Sequence, residues 1–134
     1  VWEFAHEHRL HVLSHSFPSP AALDALAARY PNTTILAGHA AGSGRLLPDY
    51  CAVAAGHPNV FLDLCGSLLY RGALEQMVAL AGTTQILYGS DIPFLDPRPQ
   101  LGRVAFAHLD DDTLRAILGE NAERVWRGSG QPRV

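Results

Sequence analysis

The chain has 134 residues, 48% of them apolar, with 13 acidic residues against 10 arginines and no lysine. That length supports one domain with a real core. A net charge of −3 and scattered arginines exclude the electrostatic footprint of a nucleic-acid binder or of a polybasic membrane patch.

No apolar run reaches the roughly 18 residues of a membrane span, and no signal peptide is visible. The expectation is a cytoplasmic protein. Cys51 and Cys65 lie in apolar contexts at a spacing that fits no zinc pattern. Both read as buried thiols in a reducing compartment.

The chain opens on Val1-Trp2-Glu3-Phe4-Ala5-His6-Glu7-His8, which reads as the end of a helix, so it is expected to begin inside an element. His6 and His8 form an H-x-H pair, but cations at a helix end suit the helix dipole better than a metal. A first strand is predicted at about 10–15, closing on His15. Ser19 then caps a helix with Pro20 at its first position, a favoured place for proline. Leu23, Leu26, Ala27 and Tyr30 give this helix an apolar stripe, and Pro31-Asn32 stops it.

The second strand, about 34–38, leads to His39 and the small-residue loop from Ala40 to Gly44. A helix at about 46–56 ends at Gly56, a third strand covers 59–64, and a helix near 70–81 ends at Gly82. The fourth strand is 85–89, followed by a loop from Ser90 to Pro99 that contains Asp91. Helices at about 100–108, 111–118 and 120–127 finish the chain. One of Asp110, Asp111 and Asp112 caps the middle one. The domain is expected to span 1–127, with 128–134 as a frayed tail.

Strand ends at His15, His39, Leu64 and Asp91 are 24, 25 and 27 residues apart, the length of a βα unit with short loops. Alternating strands and helices imply parallel pairing with right-handed crossovers. Four units make a small open sheet or half of an eight-stranded barrel, which usually needs about 250 residues. No helix opens on a glycine-rich phosphate loop, which weakens the nucleotide-binding open sheet.

In such folds ligands and chemistry sit at the carboxyl ends of strands. His15 can bind a divalent metal there. His39 can serve as general acid or base, and its small neighbours would let a substrate approach the backbone. Asp91 can bind a metal and accept a proton from water made acidic by it. Taken alone, either histidine reads more readily as a satisfied polar side chain and Asp91 equally as a turn cap; at corresponding positions of three repeats they point to one site. His11 is placed lower in the sheet, His57 in a turn, and His108 at a helix end. Asp63 is expected to face the helices or a loop partner. Arg45, Arg71 and Arg98 could grip an acid but read as surface residues.

His-Val-Leu-Ser-His15, Ile-Leu-Ala-Gly-His39, Tyr-Gly-Ser-Asp91-Ile-Pro93 and Leu-Gly-Glu-Asn121-Ala-Glu-Arg-Val-Trp126 together resemble the C-terminal half of an amidohydrolase-superfamily enzyme. The similarity is to the amidohydrolase-related branch, which includes aminocarboxymuconate semialdehyde decarboxylase and related nonoxidative decarboxylases. The resemblance implies an α/β fold, the C-terminal half of a TIM (β/α)8 barrel: strands five to eight plus closing helices. It implies His15 and Asp91 as ligands of a divalent metal, zinc first, with manganese, iron and cobalt open. It implies His39 as a metal neighbour or acid/base residue, catalytic together with Asp91, and Asn121 as structural. The first-strand H-x-H pair of the family is absent.

The reaction expected is metal-dependent hydrolysis at a carbonyl-type carbon of a small molecule. The alternative is nonoxidative decarboxylation of an aromatic or enoic acid. A second alternative is a noncatalytic half-barrel that dimerises through exposed sheet edges. The loops Ala40–Gly44, Cys65–Tyr70 and Phe94–Arg98 are expected to set specificity.

Overall fold

The computed structural model describes residues 1–39, 44–66 and 70–128 of the chain. A short helix α1 (Trp2–Glu7) precedes β1 (His11–Ser14), α2 (Pro20–Arg29), β2 (Thr34–Ala37), α3 (Leu47–Gly56), β3 (Val60–Asp63), α4 (Ala73–Ala81) and β4 (Ile86–Leu87). Helices α5 (Pro97–Ala105), α6 (Asp111–Arg115) and α7 (Asn121–Gly128) close the chain. Ser19 caps α2 by accepting from the Ala22 N–H at 3.2 Å, with Pro20 in the first turn, as the sequence predicts.

The four strands form one parallel sheet in the order β1-β2-β3-β4. Strand order that follows chain order has no reversal point of the doubly wound kind. It is the arrangement of half a (β/α)8 barrel. The core lies between the sheet and the helices, with Leu23, Ile35, Leu47, Val60, Leu62, Met77, Ile86 and Ile117 all sealed from solvent. The opposite face of the sheet is more open. Leu13, on β1, is 63% exposed there. At its lower end Trp126 of α7 stacks on His11, ring centroids 5.7 Å apart, which places His11 low in the sheet as expected.

Side-chain amides fasten the lower rim. Asn59, just before β3, donates from Nδ2 to the carbonyls of Ala27, Tyr30 and Thr33 at 3.4, 3.2 and 3.0 Å. Gln85, just before β4, donates from Nε2 to the carbonyls of Ala54, His57 and Val60 at 3.4, 3.3 and 2.6 Å. Asn121, 1% exposed, donates from Nδ2 to those of Thr83 and Ile86 at 2.8 and 2.9 Å. Its expected structural role is thereby given a geometry.

Several boundaries differ from the sequence reading. The fourth strand is only Ile86–Leu87, because Thr83–Gln85 forms a 3₁₀ turn and the Tyr88 N–H turns away to the carbonyl of Ile117 at 3.0 Å. That carbonyl lies in a π-helical turn, Ala116–Glu120, which joins α6 to α7 without a break. The two separate final helices are therefore one helical stretch with a wide turn inside it, a common device at functional or packed positions. Helix α5 starts at Pro97 because Asp96 caps it, accepting from the Arg98 N–H at 3.0 Å. It also ends earlier than expected, so His108 follows the helix and donates its backbone N–H to Glu75 at 2.8 Å. Asp110 is the residue that caps α6. The tail from 128 onward lies, Gly128 apart, outside the described residues.

Replacing Asn121 with alanine removes one buried and one partly buried hydrogen bond and leaves two carbonyls without their donor. The expected cost is about 2–3 kcal/mol, read as a lower urea midpoint at unchanged slope. Asn121→Asp, which keeps the shape but not the donor, should cost at least as much. A midpoint that does not move in either variant would show that the amide carries no weight.

Candidate active site

The chemistry-bearing residues lie just past the strand ends. His15 follows β1 directly, His39 follows β2 after Gly38, Cys65 follows β3 after Leu64, and Asp91 lies in the loop after β4. In parallel pairing all four strand ends point the same way, so these residues share one rim.

Backbone conformation brings them inward. His39 and Asp91 have φ of 52° and 64°, a left-handed geometry that L-residues adopt at a cost. Gly66 has φ of 55°, which suits glycine. A Cβ at position 66 would lie 2.7 Å from both Asp91 Oδ2 and His39 Nδ1. The imidazole and the carboxylate therefore converge over the Cys65–Gly66 backbone, in space left free by the missing side chain. Gly38, by contrast, serves the scaffold. A Cβ there would meet the Ser14 carbonyl oxygen at 2.9 Å, so its small size admits β1 rather than a substrate.

His15 packs edge-on against His39, ring centroids 4.5 Å apart. Ligand atoms of His39, Cys65 and Asp91 lie within 4.8 Å of one another, and all three side chains are half-buried. An imidazole, a thiol and a carboxylate at that separation form a donor set that fits a divalent metal. His15 adjoins the set through His39, while Asp91 belongs to it.

Cys65 is the residue that sequence reasoning missed. Its apolar neighbours suggested a buried structural thiol, and that reading holds for Cys51, which is fully buried and pushed up to about 11 by desolvation. Cys65 instead sits at the third strand end, the position held by histidine or aspartate in the other repeats. Burial first, then the adjacent Asp63 carboxylate, pushes its thiol up to about 12, against the backbone N–H of His39, which favours the thiolate. Asp63 faces a loop partner, as expected: its Oδ1 accepts from the Cys65 N–H at 2.7 Å.

The remaining candidates are structural. His6 and His8 end α1, and His6 Nδ1 accepts from the Asn32 N–H at 3.3 Å. His57 follows α3 and pairs with Asp24 at 2.7 Å. Arg98 is bound to Asp96 at 2.9 Å, and Arg45 and Arg71 are exposed. Of the loops expected to set specificity, residues 40–43 and 67–69 lie outside the described residues. Among the described residues, no helix is long and apolar enough to cross a membrane.

The amidohydrolase family profile matches residues 1–128. No curated protein matches the chain. Among solved structures it is similar to an uncharacterised TIM-barrel protein from Bordetella bronchiseptica, at TM-score 0.78 and 19% identity over 97% of this chain and 50% of that one. It is also similar to a dihydroxybenzoic acid decarboxylase from a Polaromonas species with bound manganese and the inhibitor 2-nitroresorcinol (TM-score 0.62, 16% identity, 81% of this chain and 38% of that one). A third is an amidohydrolase from Burkholderia multivorans with bound zinc (TM-score 0.65, 16% identity, 92% of this chain and 55% of that one). The chain thus spans about half the length of these solved structures or less.

Two outcomes follow from this geometry. Gly66→Ala should leave the far-UV spectrum intact while displacing His39 and Asp91, seen as shifted imidazole resonances in NMR; unchanged resonances would contradict the cradle. Cys65 should alkylate slowly at pH 8, with a rate that climbs about tenfold per pH unit through pH 10, where an ordinary thiol levels off. A plateau near pH 9 would contradict the raised thiol.

Proposed function

Because the chain belongs to the amidohydrolase family, we propose that its rim is the C-terminal half of a metal-dependent active site acting on a small carboxylic acid. His15 and Asp91 hold the divalent ion, and His39 handles the proton. The observation that carries this reading is the convergence of His39 and Asp91 over Gly66 with His15 against the His39 ring.

The favoured reaction is nonoxidative decarboxylation of a hydroxylated aromatic acid. It draws support from the likeness to the manganese-bound dihydroxybenzoic acid decarboxylase. A bound divalent ion supplies Lewis acidity, polarising a carboxylate or carbonyl oxygen and making water more acidic. The residues of this chain do the rest. The Asp91 carboxyl group lies beside the imidazole. His39 delivers a proton to the ring carbon as the bond to the departing carboxylate breaks, so carbon dioxide leaves and a C–H bond forms.

Hydrolysis is the second reading, favoured by the likeness to the zinc-bound amidohydrolase. In it Asp91 takes a proton from water and His39 protonates the leaving group.

The test is product analysis on the intact protein with dihydroxybenzoates and with simple amides and esters. Carbon dioxide released in step with substrate loss supports decarboxylation; amine or alcohol release supports hydrolysis. His39→Ala should lower kcat by about 10²- to 10⁴-fold, the range of a general acid or base. Asp91→Asn should abolish activity together with metal retention. Full turnover in both variants would sink the assignment.

A further inference from the structure

We propose that the rim carries a second, sulfur-containing ion position formed by His39, Cys65 and Asp91, selective for a thiophilic divalent ion such as zinc, cobalt or cadmium. It is distinct from the position assigned to His15 and Asp91 and shares only the Asp91 carboxylate with it.

The three ligand atoms lie within 4.8 Å of one another. Atoms at the corners of an equilateral triangle with that edge are about 2.8 Å from its centre, while zinc bonds sulfur at about 2.3 Å and imidazole nitrogen at about 2.0–2.1 Å. Each side chain therefore needs to move inward by less than about 0.8 Å, within the reach of small side-chain torsions. The three residues come from loops after three adjacent strands, so no single loop has to fold around the ion. Gly66 leaves the approach open, since any side chain there would collide with His39 and Asp91.

The donor types set the selectivity. One sulfur, one nitrogen and one oxygen suit zinc-like ions, whereas magnesium, calcium and manganese prefer oxygen. Cys65 enters as the thiolate, its proton passing to solvent. Three protein ligands leave a fourth place for water, the composition of an open zinc site. Among the described residues this is the one group of three or more His, Cys, Asp or Glu side chains with convergent ligand atoms.

The test is titration of the 134-residue chain with cobalt(II), followed by its near-ultraviolet sulfur-to-cobalt absorption. One equivalent should produce the band in the wild type and in His15→Ala. Cys65→Ser should lose the band. His39→Ala and Asp91→Asn should weaken binding at least about tenfold, the smallest effect seen even for outer-shell partners. Cadmium should compete for the position and manganese should not. Far-UV spectra confirm folding of each variant, and Cys65→Ala serves as a second removal of the sulfur. A wild type that saturates with cobalt without a sulfur band overturns the proposal, as does a band that survives both Cys65 variants. The two assignments fail separately: loss of the Cys65 position leaves the catalytic reading intact, and full activity in Asp91→Asn removes that reading without touching the sulfur band of the wild type.

Discussion

Parallel strands impose one demand on this chain that everything else rests on. Each strand must be entered from a helix end, and a helix end leaves its last carbonyls without partners. Three side-chain amides meet that demand in succession. Asn59 covers the end of α2, Gln85 the end of α3, and Asn121 the approach to β4. Asn59 and Gln85 reach back to the preceding units, and Asn121 ties the closing helix to the start of β4. The order β1-β2-β3-β4 is the result, and with it the placement of four strand ends on a common rim.

Among the described residues, left-handed backbone outside glycine occurs at Arg9, just before β1, and at two residues of the upper rim. The lower rim is saturated with amide-to-carbonyl bonds. The upper rim holds His39 and Asp91 in left-handed conformations, each costing about 1–3 kcal/mol for a non-glycine residue. Such strain persists only where the surroundings over-determine it. Here the surroundings are the sheet beneath and the collision-free space over Gly66. The strain turns His39 and Asp91 toward each other instead of letting them follow their strands outward.

Much of this was legible in the sequence, and the exceptions have physical causes. The strand-end spacing disclosed the βα repeat, because loops in such units are short and vary little in length. Ser19-Pro20 marked the start of α2 because a cap and a first-turn proline act locally. His15, His39 and Asp91 stood out as polar residues ending apolar runs. Cys65 did not, because a thiol among apolar neighbours has the same sequence signature whether it is packed or convergent with other ligands. Only the fold separates Cys65, near His39 and Asp91, from Cys51, sealed in α3. The π turn at Ala116–Glu120 was equally silent, since it arises from a tertiary need: its Ile117 carbonyl receives the Tyr88 N–H that ends β4.

One residue ties the two halves of the site together. An imidazole nitrogen that binds an ion is no longer free to accept and deliver a proton. His39 can therefore serve proton transfer or the sulfur-containing ion position, but not both at once. Asp91, with two oxygens, can serve both ion positions. The ring contact between His15 and His39 adds a further constraint, because movement of one imidazole toward an ion is felt by the other. Ligand atoms of His39 and Asp91 also lie within 4.8 Å of each other, so the imidazole has the carboxylate as its second close neighbour. Gly66 keeps this arrangement open, because a Cβ there would lie 2.7 Å from both Asp91 Oδ2 and His39 Nδ1.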